Sequence, residues 1–187
     1  MKSILILAAC TLFFVSGCSS MSMEEKQSKR EALDAMASKT IAGLTEKDAG
    51  IEGLVKDGLA YAVANMKLTK VPLVGAGGGE GVLVVRDTQQ RLYFDVARFD
   101  LGGGWGVRSY KALMVIHSQD VLDRWMDGSW AFEAGAEVSA GTAAAGGTAS
   151  DSDQGFSMHV LSDGGASATV TARVIRVTID RGLTEAP

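Results

Sequence analysis

The residues with the clearest potential for catalysis are neighbours near the middle of the chain. His117, Ser118 and Asp120 are the three residue types of a hydrolase triad, in which histidine takes the proton of a serine hydroxyl and a carboxylate orients the histidine. Residues this close in sequence do not give triad geometry, and the chain has no G-x-S-x-G segment to expose a nucleophilic serine. We therefore expect His117 to be a structural or surface residue, and we expect no enzymatic activity.

Metal and phosphate binding also lack the residue patterns that they need. The two histidines, His117 and His159, have no cysteine or histidine cluster around them. The glycine-rich runs 75–81 and 102–106 lack the G-x-x-x-x-G-K-[ST] spacing, and neither opens a helical segment. Both runs lie among strand-like residues, where glycine permits sharp curvature or close backbone approach, and we interpret them as structural. The sequence predicts no metal and no cofactor.

The overall charge argues against a nucleic-acid partner. The chain has 187 residues, with 18 basic and 22 acidic side chains and a formal net charge of −4. A general nucleic-acid-binding protein would carry a basic surplus. The hydrophobic content of 47% is that of a globular protein with a core, and the length favours one domain.

The N-terminus has the pattern of a secretory signal peptide. Lys2 precedes an apolar run, 4–15, that is shorter than a membrane-spanning helix. The run ends in Val15-Ser16-Gly17-Cys18, which resembles the lipobox of bacterial lipoproteins. The resemblance implies cleavage before Cys18 and lipidation of its sulfur with diacylglycerol, with palmitate or another acyl chain on the new amino terminus; Ser19 at the next position implies the outer membrane. The alternative is an ordinary signal peptide that ends in cysteine.

Hydrophobic periodicity predicts an α+β fold. Two N-terminal helices and one short inserted helix are expected on a curved, mainly antiparallel sheet that approaches a barrel. Helices are predicted over about 24–43, after Thr45 and after Ser118, and strands over 59–66, 81–85, 92–101, 112–116, 130–140, 156–161 and 166–180. Within 92–101 the apolar phase changes at Phe99 and Leu101, which favours a bulge or a bend near Arg98. We divide the chain into a signal peptide (1–17), a lipidated tether (18–28) and a single domain (29–187).

Several segments of the chain occur in an order found in one known family. They are Lys56-Asp57-Gly58, Lys70 followed by 75–86, the run 99–108, the strand 112–116 before a short helix, and the strand 130–140. From about residue 54 to residue 180, the chain therefore resembles the SYLF lipid-binding domain of bacterial lipoproteins and of eukaryotic actin-patch and phosphoinositide-binding proteins. The resemblance implies a non-enzymatic lipid-binding module on the periplasmic face of the outer membrane, with membrane phospholipid, including anionic phospholipid, as its partner. The alternative is a periplasmic structural or stress-related scaffold that binds a protein.

The best local candidate for lipid contact is a basic and apolar segment after the second helix. Lys67-Leu68-Thr69-Lys70 is followed by apolar Val71-Pro72-Leu73, and we interpret the segment as a loop between strands. Lysines would lie at anionic head groups, while the leucines would reach the acyl boundary. The alternative is a solvated loop that makes no contact with lipid. The predicted lipid-binding residues are Lys56, Lys67, Leu68, Lys70 and Leu73.

Overall fold

The computed structural model describes residues 21–128, 131–141, 148–151 and 155–185. In these ranges the elements are α1 (Met23–Thr45), α2 (Gly50–Asp57), β1 (Ala60–Val71), β2 (Leu73–Val85), β3 (Arg91–Gly102), β4 (Gly104–Ile116), α3 (Gln119–Met126), β5 (Ala131–Gly141), β6 (Thr148–Asp151), β7 (Phe156–Ile179) and α4 (Arg181–Thr184). The predicted α+β class, with two N-terminal helices and one short inserted helix, is confirmed. The predicted signal peptide (1–17) and Cys18 lie outside the described residues.

Helix α1 begins with a capping box. The Ser22 hydroxyl accepts a hydrogen bond from the Glu25 amide at 3.2 Å, and the Glu25 carboxylate accepts one from the Ser22 amide at 2.7 Å. The helix buries a stripe of residues spaced three or four positions apart: Leu33, Ala37, Thr40 and Leu44. Because the helix begins at Met23, residues 23–28 of the predicted tether are helical.

The strands form one curled antiparallel sheet. Their order is β3-β2-β1-β4-β7-β5, with β6 beside β7. The long strand β7 pairs with β4 through residues 156–169 and with β3 through residues 172–179, so the sheet curls back toward itself. It does not close into a barrel. β1 and β2 form a hairpin that turns at Pro72, and β3 leads into β4 through Gly103. Leu73 pairs with Gly102, so these two connections lie at the same end of the sheet, which we call the distal end. The opposite end is the proximal end.

The two faces of the sheet have separate cores. On the inner face, α3 packs into the curl of the sheet, and the Trp125 ring meets the Phe94 ring edge-on at a centroid distance of 4.8 Å. On the outer face, α1, α2 and α4 cover the proximal part of the sheet. That outer core consists of Leu33, Ala37, Leu44, Ile51, Val63, Val82, Val84, Tyr93, Leu113, Val115 and Leu183.

The strands reach farther toward the distal end than the sequence indicated. The predicted loop at residues 67–70 is wrong, because β1 continues through these residues to Val71. The predicted bulge near Arg98 is also wrong, since β3 pairs with β2 one to one from Arg91 to Gly102. The predicted strand 81–85 is too short at its N-terminal end, because β2 begins at Leu73 and includes the glycine-rich run 75–81. The apolar change of phase at Phe99 and Leu101 therefore reflects a real change in what faces solvent.

Candidate functional site

A group of large apolar side chains is exposed at the distal end of the sheet. Each of its members leaves between 49% and 71% of its surface open to solvent: Val71, Leu73, Val74, Phe99, Leu101, Trp105 and Val107. Contiguous exposed apolar surface of this kind marks interaction sites in soluble proteins. We call these seven side chains the distal surface.

The pairing of the strands brings these side chains together. Four strand ends contribute to the outer face here, and directly opposed residues of antiparallel strands have their Cβ atoms about 5 Å apart. The opposed pairs are Val71 with Val74, Val74 with Leu101, Ala76 with Phe99, and Thr69 with Val107. The distal surface is therefore a patch on the same outer face that α1 covers farther along the strands, apart from Leu73, which lies at the hairpin turn at its edge.

The inner face directly behind the distal surface is charged and buried. Lys70, Arg98 and Asp100 are each 3% exposed or less. The guanidinium of Arg98 donates two hydrogen bonds to the Asp100 carboxylate, both at 2.7 Å, and a third to the Tyr110 hydroxyl at 2.6 Å. The guanidinium of Arg108 lies over the Tyr110 ring, 5.3 Å from its centroid. We call Arg98, Asp100, Arg108 and Tyr110 the inner polar network.

The pKa values of the two arginines in this network shift in opposite directions. Burial alone would lower the pKa of Arg98, but the hydrogen bonds to Asp100 and Tyr110 outweigh it and hold that pKa above its usual value. Burial lowers the pKa of Arg108, and the positive charge of Arg98 lowers it further. Asp100 and Arg98 thus form a strongly coupled ion pair in a site closed to water.

Glycines in β2 make room for this arrangement. A Cβ atom on Gly75 would lie 3.2 Å from the Asp100 Cβ and 3.3 Å from the Lys70 Cγ. Farther along the strand, a Cβ on Gly81 would meet the Val63 carbonyl oxygen and the Phe94 ring. The glycine-rich run is therefore explained by close packing on the inner face.

The structure separates the five residues predicted to bind lipid. Leu73 is 71% exposed at the hairpin turn, and Lys67 is exposed on the outer face of β1. Leu68 and Lys70 point to the inner face and are 2% and 3% exposed, so the expectation that they contact a membrane is corrected: β1 alternates sides where a loop was predicted. Lys56 lies beyond the proximal end of β1, where it pairs with Glu52 at 2.6 Å.

Sequence reasoning missed most of the distal surface. Phe99 and Leu101 lie in the predicted strand 92–101, and Trp105 and Val107 lie outside the predicted strands. None of these four residues was predicted to contact lipid. The signal that could have found them is the phase change itself, because Arg98 and Asp100 occupy the positions that would continue the inner apolar row of β3. In an unbroken strand, that pattern places charges inside and apolar side chains outside.

The candidate triad residues make separate contacts. The Nε2 atom of His117 lies 3.4 Å from the hydroxyl oxygen of Ser157, and Asp120 forms an ion pair with Arg124 at 2.7 Å. Ser118 occupies the N-cap position of α3 and makes no side-chain capping bond. Of the residues with described positions, no three or more His, Cys, Asp or Glu are grouped in a way that could hold a metal ion.

Among residues 21–128, 131–141, 148–151 and 155–185, no helix combines the length and the hydropathy that a membrane crossing needs.

Comparison with known proteins gives no match. No protein-family model matches the chain, and no curated protein and no solved structure matches it significantly. The resemblance to the SYLF domain stays a prediction that rests on the sequence segments quoted above.

Proposed function

We propose that this protein is a non-enzymatic lipid-binding module, held at the periplasmic face of the outer membrane through a lipidated Cys18. The observation that carries the proposal is the distal surface, in which seven large apolar side chains are each about half exposed or more. Two of them, Phe99 and Trp105, are aromatic, and aromatic side chains favour the boundary between water and lipid.

The distal surface is large enough to contribute substantially to membrane attachment. Full burial of one large apolar side chain contributes about 1.5 to 3 kcal/mol. Seven side chains that are about half exposed therefore supply on the order of 5 to 10 kcal/mol before the cost of association. A surface of this size binds lipid reversibly.

A lipidated Cys18 would keep this surface close to the bilayer. Cys18 precedes Met23, the first residue of α1, by five positions, which span at most about 18 Å when extended. Lipid anchoring is stable when the anchor carries more than one acyl chain, as a diacylglycerol-modified and acylated Cys18 would. In this proposal, the anchor retains the protein on the membrane and the distal surface makes a second, reversible contact with the bilayer.

The proposal is tested by vesicle co-sedimentation of the unlipidated chain, residues 19–187. Leu73→Glu combined with Leu101→Glu should weaken vesicle binding at least about tenfold, because both changes put charge into the contact. The matched control is Met126→Glu, which alters an exposed apolar residue on α3 and should bind as the parent does. A parent chain that binds neither zwitterionic nor anionic vesicles would overturn the proposal and favour the protein-binding scaffold.

The anchor is tested separately by fractionating cells that express the full chain. The parent should partition with the outer membrane, and Cys18→Ala should remain unlipidated and unprocessed. Normal processing and detergent-phase partitioning of Cys18→Ala would overturn the lipobox interpretation.

A further inference from the structure

The alternation of apolar and polar side chains reverses along the strands of this sheet. Toward the proximal end, the inner face is apolar and the outer apolar face is covered by helices. Toward the distal end, the inner positions are charged and the outer positions are apolar and exposed. On β3 the change falls between Val96, which belongs to the inner apolar core, and Arg98, which is the next inner residue.

A reversed pattern is typical of strands that face hydrocarbon. In water, a sheet places apolar side chains on its core and polar side chains toward solvent. Strands whose outer face contacts lipid alternate in the opposite sense, with apolar residues outward and polar residues inward. The distal ends of β1, β3 and β4 have this second pattern, and β3 shows it most clearly with Phe99 and Leu101 outside and Arg98 and Asp100 inside.

The backbone at the distal end is suited to an environment without water. Unpaired backbone groups are costly in hydrocarbon because nothing there replaces their hydrogen bonds. The strand pairs continue to the end of the sheet: Val71 with Val74, Leu73 with Gly102, and Gly104 with Thr169. The hairpin turns at Pro72, which has no N–H group.

The stretch of strand with apolar residues outward and charged residues inward, which we call the reversed band, is short. Its height limits how deeply it can insert into a bilayer. On β3 it runs from Arg98 to Leu101, about 10 Å at the usual rise per residue. The hydrocarbon core of a bilayer is about 30 Å thick. A band of this height reaches the boundary of head groups and acyl chains, about 5 to 10 Å deep, in one leaflet.

On the outer face, charged side chains begin at the proximal border of this band. The described outer positions within the band are apolar or small and uncharged: Thr69, Val71, Val74, Ala76, Phe99, Leu101, Trp105 and Val107. Lys67 is the first outer cation, at the proximal border of the band on β1. Because there is one lysine at this border, binding of the patch to lipid should depend little on the charge of the head group.

Resting on the lipid-binding function proposed above, we infer that the distal end inserts into one leaflet of the bilayer, to the acyl boundary. The contact is apolar and nearly independent of head-group charge. The occupant is lipid, since the patch has an uncharged outer face, a paired backbone and a height that matches one interfacial layer. A protein partner would be matched by polar groups at the rim of the patch. Failure of the unlipidated chain to bind vesicles would favour such a partner.

The test uses the lipidated protein in vesicles whose acyl chains carry bromine at a shallow or a deep position. The signal is the emission of Trp105, 71% exposed, obtained as the difference between the parent and Trp105→Phe. Shallow bromine should reduce the Trp105 emission at least about twofold and deep bromine much less. Raising the salt from 0.1 to 0.5 M should change the quenching by less than about 1.5-fold.

Contrary results would overturn the inference in distinguishable ways. The insertion is overturned if bromine does not quench Trp105 in the lipidated protein, or if salt abolishes the quenching. The shallow depth is overturned if shallow and deep bromine quench Trp105 equally. Val107→Glu should lose the quenching while the anchor retains the protein on the vesicles, and retained quenching counts against the distal surface. If the unlipidated chain binds vesicles but Trp105 is not quenched, only the insertion fails. If it binds no vesicles, the proposed function fails as well.

Discussion

The two ends of strand β4 show how differently one strand can be used. At the proximal end, the outer residues Leu113 and Val115 are fully buried beneath helices. At the distal end, the outer residues Trp105 and Val107 are 71% and 62% exposed. The pairing with β1 is continuous between the two ends, so the backbone does not account for the difference. What differs is whether another element covers the outer face.

The inner face changes in step with the outer one. Behind the proximal outer core, the inner residues of β4 are Met114 and Ile116, which belong to the larger apolar core. Behind the distal surface they are Tyr110 and Arg108, which belong to the inner polar network. The comparison teaches that the inner face is filled by paired charges and Tyr110 at the distal end and by apolar packing at the proximal end.

The largest expected effect comes from breaking the inner polar network. Asp100→Asn removes the charge that accepts two hydrogen bonds from Arg98 and leaves a buried guanidinium beside a neutral amide. Removing one partner of a buried ion pair costs about 3 to 5 kcal/mol. Urea unfolding followed by circular dichroism should show this loss in the free energy of unfolding.

Asp120→Asn is the matched control for that change. It removes the same charge from an exposed ion pair with Arg124 on α3 and should change stability by less than about 0.5 kcal/mol. If Asp100→Asn costs as little as this control, the network does not hold the distal end together, and the contrast between the two ends is lost.

A pair of leucines on the outer face tests the comparison next. Leu113 is 0% exposed at the proximal end, and Leu101 is 65% exposed at the distal end. Leu113→Ala should cost about 2 to 5 kcal/mol, because it leaves a cavity beneath the helices. Leu101→Ala should cost less than about 0.5 kcal/mol in solution.

In a vesicle-binding assay, the same two variants should show the reverse order of effects. Leu101→Ala should weaken binding of the unlipidated chain, and Leu113→Ala should leave it unchanged at temperatures where the variant is folded. Equal losses of stability for the two variants would mean that the distal surface is packed in solution, which contradicts its exposure.

The sequence predicts the elements of this fold better than it predicts their ends. The helical spacing of apolar residues is local, so the two N-terminal helices and α3 could be predicted. The predicted helix start after Thr45 is wrong, because Thr45 is the last residue of α1 and α2 begins at Gly50. The distal parts of β1 and β2 could not, since Lys70 and the glycines have low strand propensity and are held there by their pairing across the hairpin.

The candidate site was predicted only in part, for a related reason. Leu73 and Lys67 are exposed at or beside the distal surface, whereas Leu68 is buried in the inner core. The prediction assumed that a run of lysines with apolar neighbours is exposed as a whole. Strand alternation divides such a run between the two faces of the sheet. Which residues face outward depends on pairing partners far away in the sequence.

The proximal outer face also contains a buried histidine, which gives the smallest expected effect. His159 is opposite Leu113 in the pairing of β4 with β7 and is 5% exposed. Burial lowers its pKa, the negative charge of Asp48 opposes that shift, and the neighbouring His117 adds to it. Nothing comparable titrates among the described residues of the distal surface, all of which are apolar.

Mild acid should therefore weaken the protein through His159. The pKa of His159 is lower in the folded state than the usual value of about 6.5, so the unfolded chain takes up the proton first. Above about pH 6.5, protonation of His159 does not affect the free energy of unfolding. As the pH falls below that value, the free energy of unfolding decreases until the pH is lower than the pKa of His159 in the folded state. Urea unfolding at pH 7.5 and 5.5 should show a smaller loss in His159→Gln than in the parent, since glutamine does not titrate. If both proteins lose the same stability, groups other than His159 set the response to acid, and the proximal outer core is not its source.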